Sequence, residues 1–514
     1  MGTSLAIYIG VGIYFAAMLS VGYIVKSKIK VTEDYLVGGR KFTLLFNAPA
    51  LTACFLGGSL ILSLPGATYG MGIWSDSAMF GSAISLGGIF CLLIAGFFYM
   101  PKLWRLKLLS LGDYFYLRFG KPTGFTVSIV TVLTFVFWVA VQILVFAKIC
   151  TVFMGWDLFW SAIIGITIIC IYTSMGGLWA VMITDMIQVA LVTIGVVVLL
   201  PICLPMVGGW DAFMEVVPKD RTHLIPQVAE GKVWLAWLAC WCVVGIGSVV
   251  SPDLMQRAFA AKTAAVARNS AIVAAVIKTI LSIIMIILAL VGLVMTNNGT
   301  IPEASLQGDM ELIIPIMVKD FLPLPLTILF IGASLSAVMG AASSALLAMS
   351  GMMSKNIIKD FIKPDINDKQ LLFISRICVV IFSIMAVYAA LNLKYVFLLV
   401  AFGFDLIMAS LFACMTLGMY WKKANGYGAV AGIIAGLLVR VVPAGMANGF
   451  SLEGICSSAP GWYIYTLLGP IVAFIVTAVV AMATQKINPS NEYGFYFDEN
   501  DTPILADTSV KNVG

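Results

Sequence analysis

Apolar residues come in long runs along this chain, separated by short polar stretches. Thirteen runs approach the roughly 20 residues needed to cross a bilayer as a helix. They cover about 4–25, 45–70, 73–100, 122–150, 157–174, 180–205, 233–250, 266–296, 323–351, 370–392, 395–420, 427–445 and 462–484. The pattern predicts an all-α polytopic membrane protein of about 13 transmembrane helices.

The second run differs from the rest. From Leu45 to Trp74 it is apolar enough to enter a membrane, yet it carries Gly57-Gly58-Ser59 at its centre and Pro65-Gly66 shortly after. Gly lowers helix stability by about 1 kcal/mol and Pro by about 3. At bilayer depth a broken backbone survives only where protein or a water-filled cavity covers it. Two readings follow: a kinked packing helix with small residues at a helix contact, or a discontinuous helix whose freed backbone groups bind solute and ions. The seventh run ends in GIGSVVSPDLMQR, with Gly245, Gly247, Pro252 and Asp253, five spans after the first interruption. Interrupted spans in matching places of two five-helix halves point to an inverted repeat with a binding site between the halves.

Composition excludes a soluble protein: 61% of residues are hydrophobic, 11% are charged, and the mean hydropathy is +1.03. The net charge of +5 sits in loops and signals topology, not a nucleic-acid partner. Lys26, Lys28, Lys30, Arg40 and Lys41 fill the first loop. Later loops expected on the same side hold Lys102, Arg105 and Lys107; Arg257, Lys262 and Arg268; Lys355, Lys359, Lys363 and Lys369; and Lys422 and Lys423. The opposing loop from Thr296 to Glu311 has no Lys or Arg and three acids. The positive-inside rule then places the N-terminus outside and the C-terminus in the cytoplasm, in a cell (inner) membrane. The first run lacks a basic leader and a small-residue cleavage site, so it reads as a retained helix. Ten scattered cysteines without a CxxC pair read as small core residues. A single histidine, His223 in a polar loop, argues against a histidine proton relay or a His-ligated zinc site.

The expected layout is a leading helix and basic loop (1–44), a first five-helix repeat (45–206), an outer loop (207–232), a second repeat (233–421), trailing helices (422–486) and a polar, mobile tail (487–514).

Ionisable and polar residues at membrane depth are costly and are functional candidates by default. Asp185 lies in the sixth run, Ser343 and Ser344 in the ninth. A carboxylate with hydroxyls suits an alkali cation, while the serines also suit close helix packing. Asp76, at the start of the third run, and Asp405, in the eleventh, are counter-ion candidates for a cationic solute; Asp76 also reads as an interface residue. Trp138, mid-span in the fourth run, offers a face for a quaternary ammonium group, worth roughly 0.5–2 kcal/mol, or simple packing. Trp241 and Trp74 lie near span ends. Lys278, in the eighth run, has no evident partner and is placed to snorkel.

Four stretches together resemble the sodium/solute symporter family: DYLVGGR (Asp34–Arg40), GGLWAVMITDMIQ (Gly176–Gln188), SKNIIKD (Ser354–Asp360) and YWKKANGYGAVAGIIAGLLVR (Tyr420–Arg440). The resemblance implies a leucine-transporter-type 5+5 inverted repeat with one leading and two trailing helices. It implies substrate contacts at Phe55, Gly57, Gly58 and Ser59, surrounded by Asp76, Trp138, Trp241, Ser251 and Asp405. SLPGATY (Ser63–Tyr69) is similar to proline and pantothenate carriers; FWVA (Phe137–Ala140) and Asp405-Leu406 are similar to high-affinity choline carriers, whose two further Trp positions are Phe55 and Ser251 here. At the family's common sodium site stand Ala53, Leu56, Ala337, Gly340 and Ala341, without its paired hydroxyls. A second family sodium site maps onto Asp185, Ser343 and Ser344.

The sequence therefore predicts a secondary carrier, not an enzyme, with no cofactor and with Na+ as the candidate coupling ion. Its partners would be a small solute and the lipid bilayer, and it would act as a monomer or homodimer. The leading substrate class is an organic cation or zwitterion such as choline, a betaine or another amine. The alternatives are an organic acid such as pantothenate, a sodium-independent uniporter or exchanger, or a non-transporting membrane sensor.

Overall fold

The structure, a computed structural model, describes residues 2–76, 82–393, 396–451, 454–455 and 461–495. The predicted tail is thus described only to residue 495, and there Asn491 is tied down by donating to Leu117 O at 2.8 Å. The described chain is helical apart from loops and isolated bridges, among them a parallel one between Phe42 and Ala261.

The leading helix is α1 (Gly2–Val25). A bent pair follows, α2 (Leu44–Leu56) and α3 (Ser59–Met71), with 52° between the halves. Then come α4 (Ala83–Arg105), α5 (Lys121–Met154) and α6 (Leu158–Cys203). A second interrupted pair is α7 (Gly231–Val250) and α8 (Pro252–Ala260). After these come α9 (Ala264–Asn297), the short α10 (Ile313–Phe321), α11 (Leu324–Gly351), α12 (Asp368–Asn392), α13 (Val396–Tyr420), α14 (Gly426–Asn448) and α15 (Trp462–Thr484), with short connecting helices at Thr32–Val37, Leu111–Phe119 and Gly209–Val216. Among the described residues eleven helices are long and apolar enough to span a membrane, and the bent pair makes twelve. The predicted fifth run falls short of that length as the apolar helix Leu158–Ile171. It joins the sixth at Gly177, whose φ of +49° bends α6 where any side chain would strike Tyr35.

Two sequence expectations are corrected. The third span does not start at residue 73: Gly72 at φ +80° turns the chain away, residues 77–81 are outside the described set, and helix resumes at Ala83. Arg257 is not a loop cation. It lies in α8 and is fully buried.

Small residues set the helix spacing. Gly428, Gly432 and Gly436 recur every fourth residue along one face of α14, facing Thr477, Ala473 and Ala481 of α15 and the Ala409 carbonyl of α13. Such stripes let membrane helices approach closely. A Cβ at Gly436 would overlap the Ala409 carbonyl, a backbone atom that cannot swing aside. Gly436→Leu is expected to lower stability by about 1–3 kcal/mol or more, read as a drop in Tm of the purified protein. An unchanged Tm would show that these helices are not packed this way.

Candidate functional site

Both helix interruptions are built by local sequence. At the first, Gly57 takes ψ −142° and the helix stops. A side chain at Gly57 would strike Gln142 and come within 2.9 Å of the Ala341 Cβ; one at Gly58 would reach the Val145 Cγ2 at 2.6 Å. Only glycines let the break press against both α5 and α11. The Gly58 N–H, freed by the break, donates to Gln142 Oε1 at 2.8 Å, which satisfies an otherwise orphaned donor at membrane depth. At the second, Ser251 is extended (ψ 133°) and Pro252 starts α8, where its missing N–H costs nothing. Asp253 occupies the first turn of α8, favourable against the helix dipole.

Four neighbouring helices link the two breaks. Trp138 of α5 lies one turn from Gln142, and its ring centroid is 5.0 Å from that of Phe404 in α13. The Phe404 backbone in turn packs against Gly247, beside the second break. On the other side, Gly88 of α4 meets the Phe55 ring and Gly87 meets the Gly245 backbone. Lys278 of α9 completes this side: its ammonium lies 5.5 Å from the Phe55 ring centroid, and its Cε packs against Gly88. Lys278 is 1% exposed, so it does not snorkel. Among the described residues no carboxylate pairs with it. The Trp138 indole N–H and the Ser63, Ser85 and Ser248 hydroxyls are buried without a protein partner.

The other predicted residues have these positions. Ser59 Oγ donates to Phe55 O at 3.2 Å, and Ser251 Oγ to Ser248 O at 2.7 Å. Asp76 accepts from the Trp74 indole at 2.8 Å and from Gln227 N at 3.1 Å, bracing the 207–232 loop. Asp405 is held by the Arg440 guanidinium and by Thr466 at 2.9 Å. Trp241 packs between Phe90 and Trp237. Both candidate counter-ions for a cation are therefore engaged elsewhere.

At the predicted second sodium site the structure places a guanidinium. Arg257 Nη2 donates to Asp185 Oδ2 at 2.8 Å and to Ser344 Oγ; Nε donates to Ala50 O at 3.0 Å and Nη1 to Asp253 O at 3.1 Å. Ser343 Oγ bonds Gly340 O at 2.9 Å. Arg257 thus ties α2, α6, α8 and α11 together. At the common site, Ala53, Leu56, Ala337 and Ala341 are all buried, and no side-chain hydroxyl is present at Gly340 or Ala341. The sequence reading missed Arg257, Gln142, Gln188 and Arg440. Their signal was available in part: Gln142, Gln188 and Arg440 are polar residues inside apolar runs, while Arg257 stands in the short segment between the seventh and eighth runs.

Polar contacts cluster beyond each of the two breaks. On the basic-loop face Arg40 donates to Phe259 O, Lys107 O and Leu108 O at 3.2, 2.8 and 2.9 Å, and Trp104 Nε1 to Ala261 O at 2.7 Å. On the same face the Asp113 carboxyl is buried, which pushes its pKa up; Lys355, Asn356 and the Leu109 N–H outweigh this and hold it below the usual range. On the opposite face Lys148 pairs with Glu311 at 2.5 Å and Asp309 at 2.6 Å. Glu311 also wedges against Gly66 of the broken helix. Cavities of about 330 and 540 Å³ flank this cluster.

The sodium:solute symporter family model matches residues 35–436. The human high affinity choline transporter 1 is 26% identical over 416 residues, 80% of this chain and 70% of that protein. The sodium/pantothenate symporter of Haemophilus influenzae is 26% identical over 428 residues, 81% and 85% of the two chains. The osmoregulated proline transporter OpuE of Bacillus subtilis is 23% identical over 504 residues, 94% and 97%. Among solved structures, a substrate-bound, outward-open Na+-coupled sialic acid symporter superposes with a TM-score of 0.79 at 21% identity, covering 93% of this chain and 98% of that one. A nucleobase-cation-symport-1 family transporter in a closed conformation gives 0.56 at 14%, covering 91% and 96%. The architecture is the leucine-transporter type.

Proposed function

Because the chain belongs to the sodium:solute symporter family, we propose that it imports a small zwitterion of the betaine type, a quaternary ammonium bearing a carboxylate, driven by sodium. The protein works in the cell membrane with its N-terminus outside. The halves 45–206 and 233–421 rock around the two breaks, and the polar contacts at Arg40 and Glu311 open in turn.

One observation carries the substrate class: the Lys278 ammonium beside Phe55 at the first break, without a carboxylate partner among the described residues. An unpaired charge buried at this depth is expensive. A solute carboxylate compensates it with a charge-assisted hydrogen bond. The Trp138 and Phe404 rings take the ammonium end through cation–π attraction. Asp76 and Asp405, engaged elsewhere, leave a bare cation such as choline facing a like charge. The relatives carry choline, proline or pantothenate by name, and the last two are carboxylates.

A thermal-shift panel on purified protein in NaCl tests this reading. Glycine betaine is expected to raise Tm most, proline and pantothenate less, and choline least. A shift with choline and none with the carboxylates would overturn the zwitterion assignment. A shift with pantothenate alone would point to the organic-acid reading.

A further inference from the structure

Four buried oxygens converge where α1, α6 and α11 meet, and none makes a well-formed hydrogen bond: Tyr14 Oη, Asp185 Oδ1, Gln188 Oε1 and Ser336 Oγ. Asp185 and Ser336 are fully buried and Gln188 is 1% exposed. Asp185 Oδ1 and Gln188 Oε1 face Gly340. The position a Cβ would take there lies 2.8 Å from Asp185 Oδ1 and nearer still to Gln188 Oε1. The Tyr14 hydroxyl faces Gln188 and Ser336. Arg257 uses only the other carboxylate oxygen, Oδ2.

We propose that this cluster is the sodium site of the protein, formed by Asp185 Oδ1, Gln188 Oε1, Ser336 Oγ and Tyr14 Oη over the bare face of Gly340. The proposal rests on the sodium-driven reading above and places the ion elsewhere than between Asp185, Ser343 and Ser344. Three physical points support it. All four groups present oxygen, the ligand type of hard cations. The charge is right for a monovalent ion: one carboxylate is already half compensated by Arg257, which leaves too little negative charge for a divalent cation. The absent side chain at Gly340 lets Gln188 Oε1 and Asp185 Oδ1 come up against the helix, where any other residue would displace them.

Gln188 supplies a switch. Its Nε2 faces only the Met18 sulfur at 3.9 Å. Without an ion the amide can turn over and donate Nε2 to Asp185 Oδ1. With sodium bound it must present Oε1. The residue after Gly340, Ala341, touches Gly57 at the first break, and Arg257 reaches the Ala50 carbonyl of the same broken helix. Ion occupancy is thus transmitted to the break through direct contacts.

The test is the Tm of purified protein in NaCl against KCl at equal ionic strength, without solute. The wild type is expected to be stabilised by sodium, with the shift growing as the logarithm of its concentration. Gln188→Leu keeps the side-chain size and removes the oxygen; Gly340→Ala fills the site. Each is expected to abolish the sodium shift while the KCl value persists. Tyr14→Phe removes one ligand and is expected to raise the half-saturating sodium by about tenfold, which is about 1.4 kcal/mol. If Gly340→Ala fails to fold, Gln188→Leu and Tyr14→Phe still decide. Retention of the sodium shift in both would overturn this site and leave sodium coupling standing. A wild type indifferent to sodium would overturn the site and the sodium-driven reading together.

Discussion

Lys278→Met is expected to lower betaine uptake and to raise stability. Both effects follow from a buried ammonium whose partner is the solute. The lost charge-assisted bond is worth about 1.5–3 kcal/mol, so kcat/KM for a carboxylate solute falls roughly 10- to 150-fold. Removing an uncompensated charge from the apolar interior relieves a desolvation cost, so Tm in the solute-free state rises. A residue with a merely structural role would give the opposite sign, because its loss lowers Tm. Choline serves as the internal control: having no carboxylate, it loses nothing in the variant and gains from the removal of a like charge. A fall in Tm together with unchanged betaine uptake would contradict the assignment of Lys278.

Arg257→Met has the largest expected effect on folding. The guanidinium is completely buried and joins four helices through Asp185, Ser344, Ala50 O and Asp253 O. Removing one partner of a buried pair leaves the other charge uncompensated, at a cost of about 3–5 kcal/mol. The variant is expected to lose most of its folded yield and all uptake. Asp185→Asn in the same chain removes the stranded charge and restores part of the yield. The cycle of Arg257→Met, Asp185→Asn and the double variant should show a coupling of about 0.5–3 kcal/mol. Additive losses would mean that the ion pair does not govern this junction.

The helical architecture was legible because hydrophobic run length is a strong signal when backbone groups must be satisfied within each span. Both interruptions were legible because Gly57-Gly58 and Ser251-Pro252 are poor helix formers inside otherwise apolar runs. The partners of those interruptions were not. Gln142 and Trp138 lie on α5, far along the chain from the break they support, and nothing in local pattern pairs them with Gly58 and Phe404. Charged residues misled at three places. Arg257 counted as a loop cation because it follows Pro252 and stands near Lys262, yet α8 folds inward and buries it. Lys278 looked free to snorkel because its depth was read along the sequence, not from the face of α9 it occupies. Asp405 looked like a free counter-ion because Arg440 sits on the next helix but one turn-rich loop away. Of the residues proposed above to hold sodium, Asp185 stood out in the sequence as a carboxylate inside an apolar run, while Gln188, three residues on and on nearly the same helical face, was passed over as an uncharged residue.

The most direct measurement is uptake of labelled glycine betaine into proteoliposomes under an inward sodium gradient, repeated with potassium replacing sodium. Concentrative uptake in sodium that collapses in potassium is the predicted result. Equal uptake in both salts would contradict sodium coupling, and no betaine uptake in either would contradict a solute site built around Lys278 and Trp138.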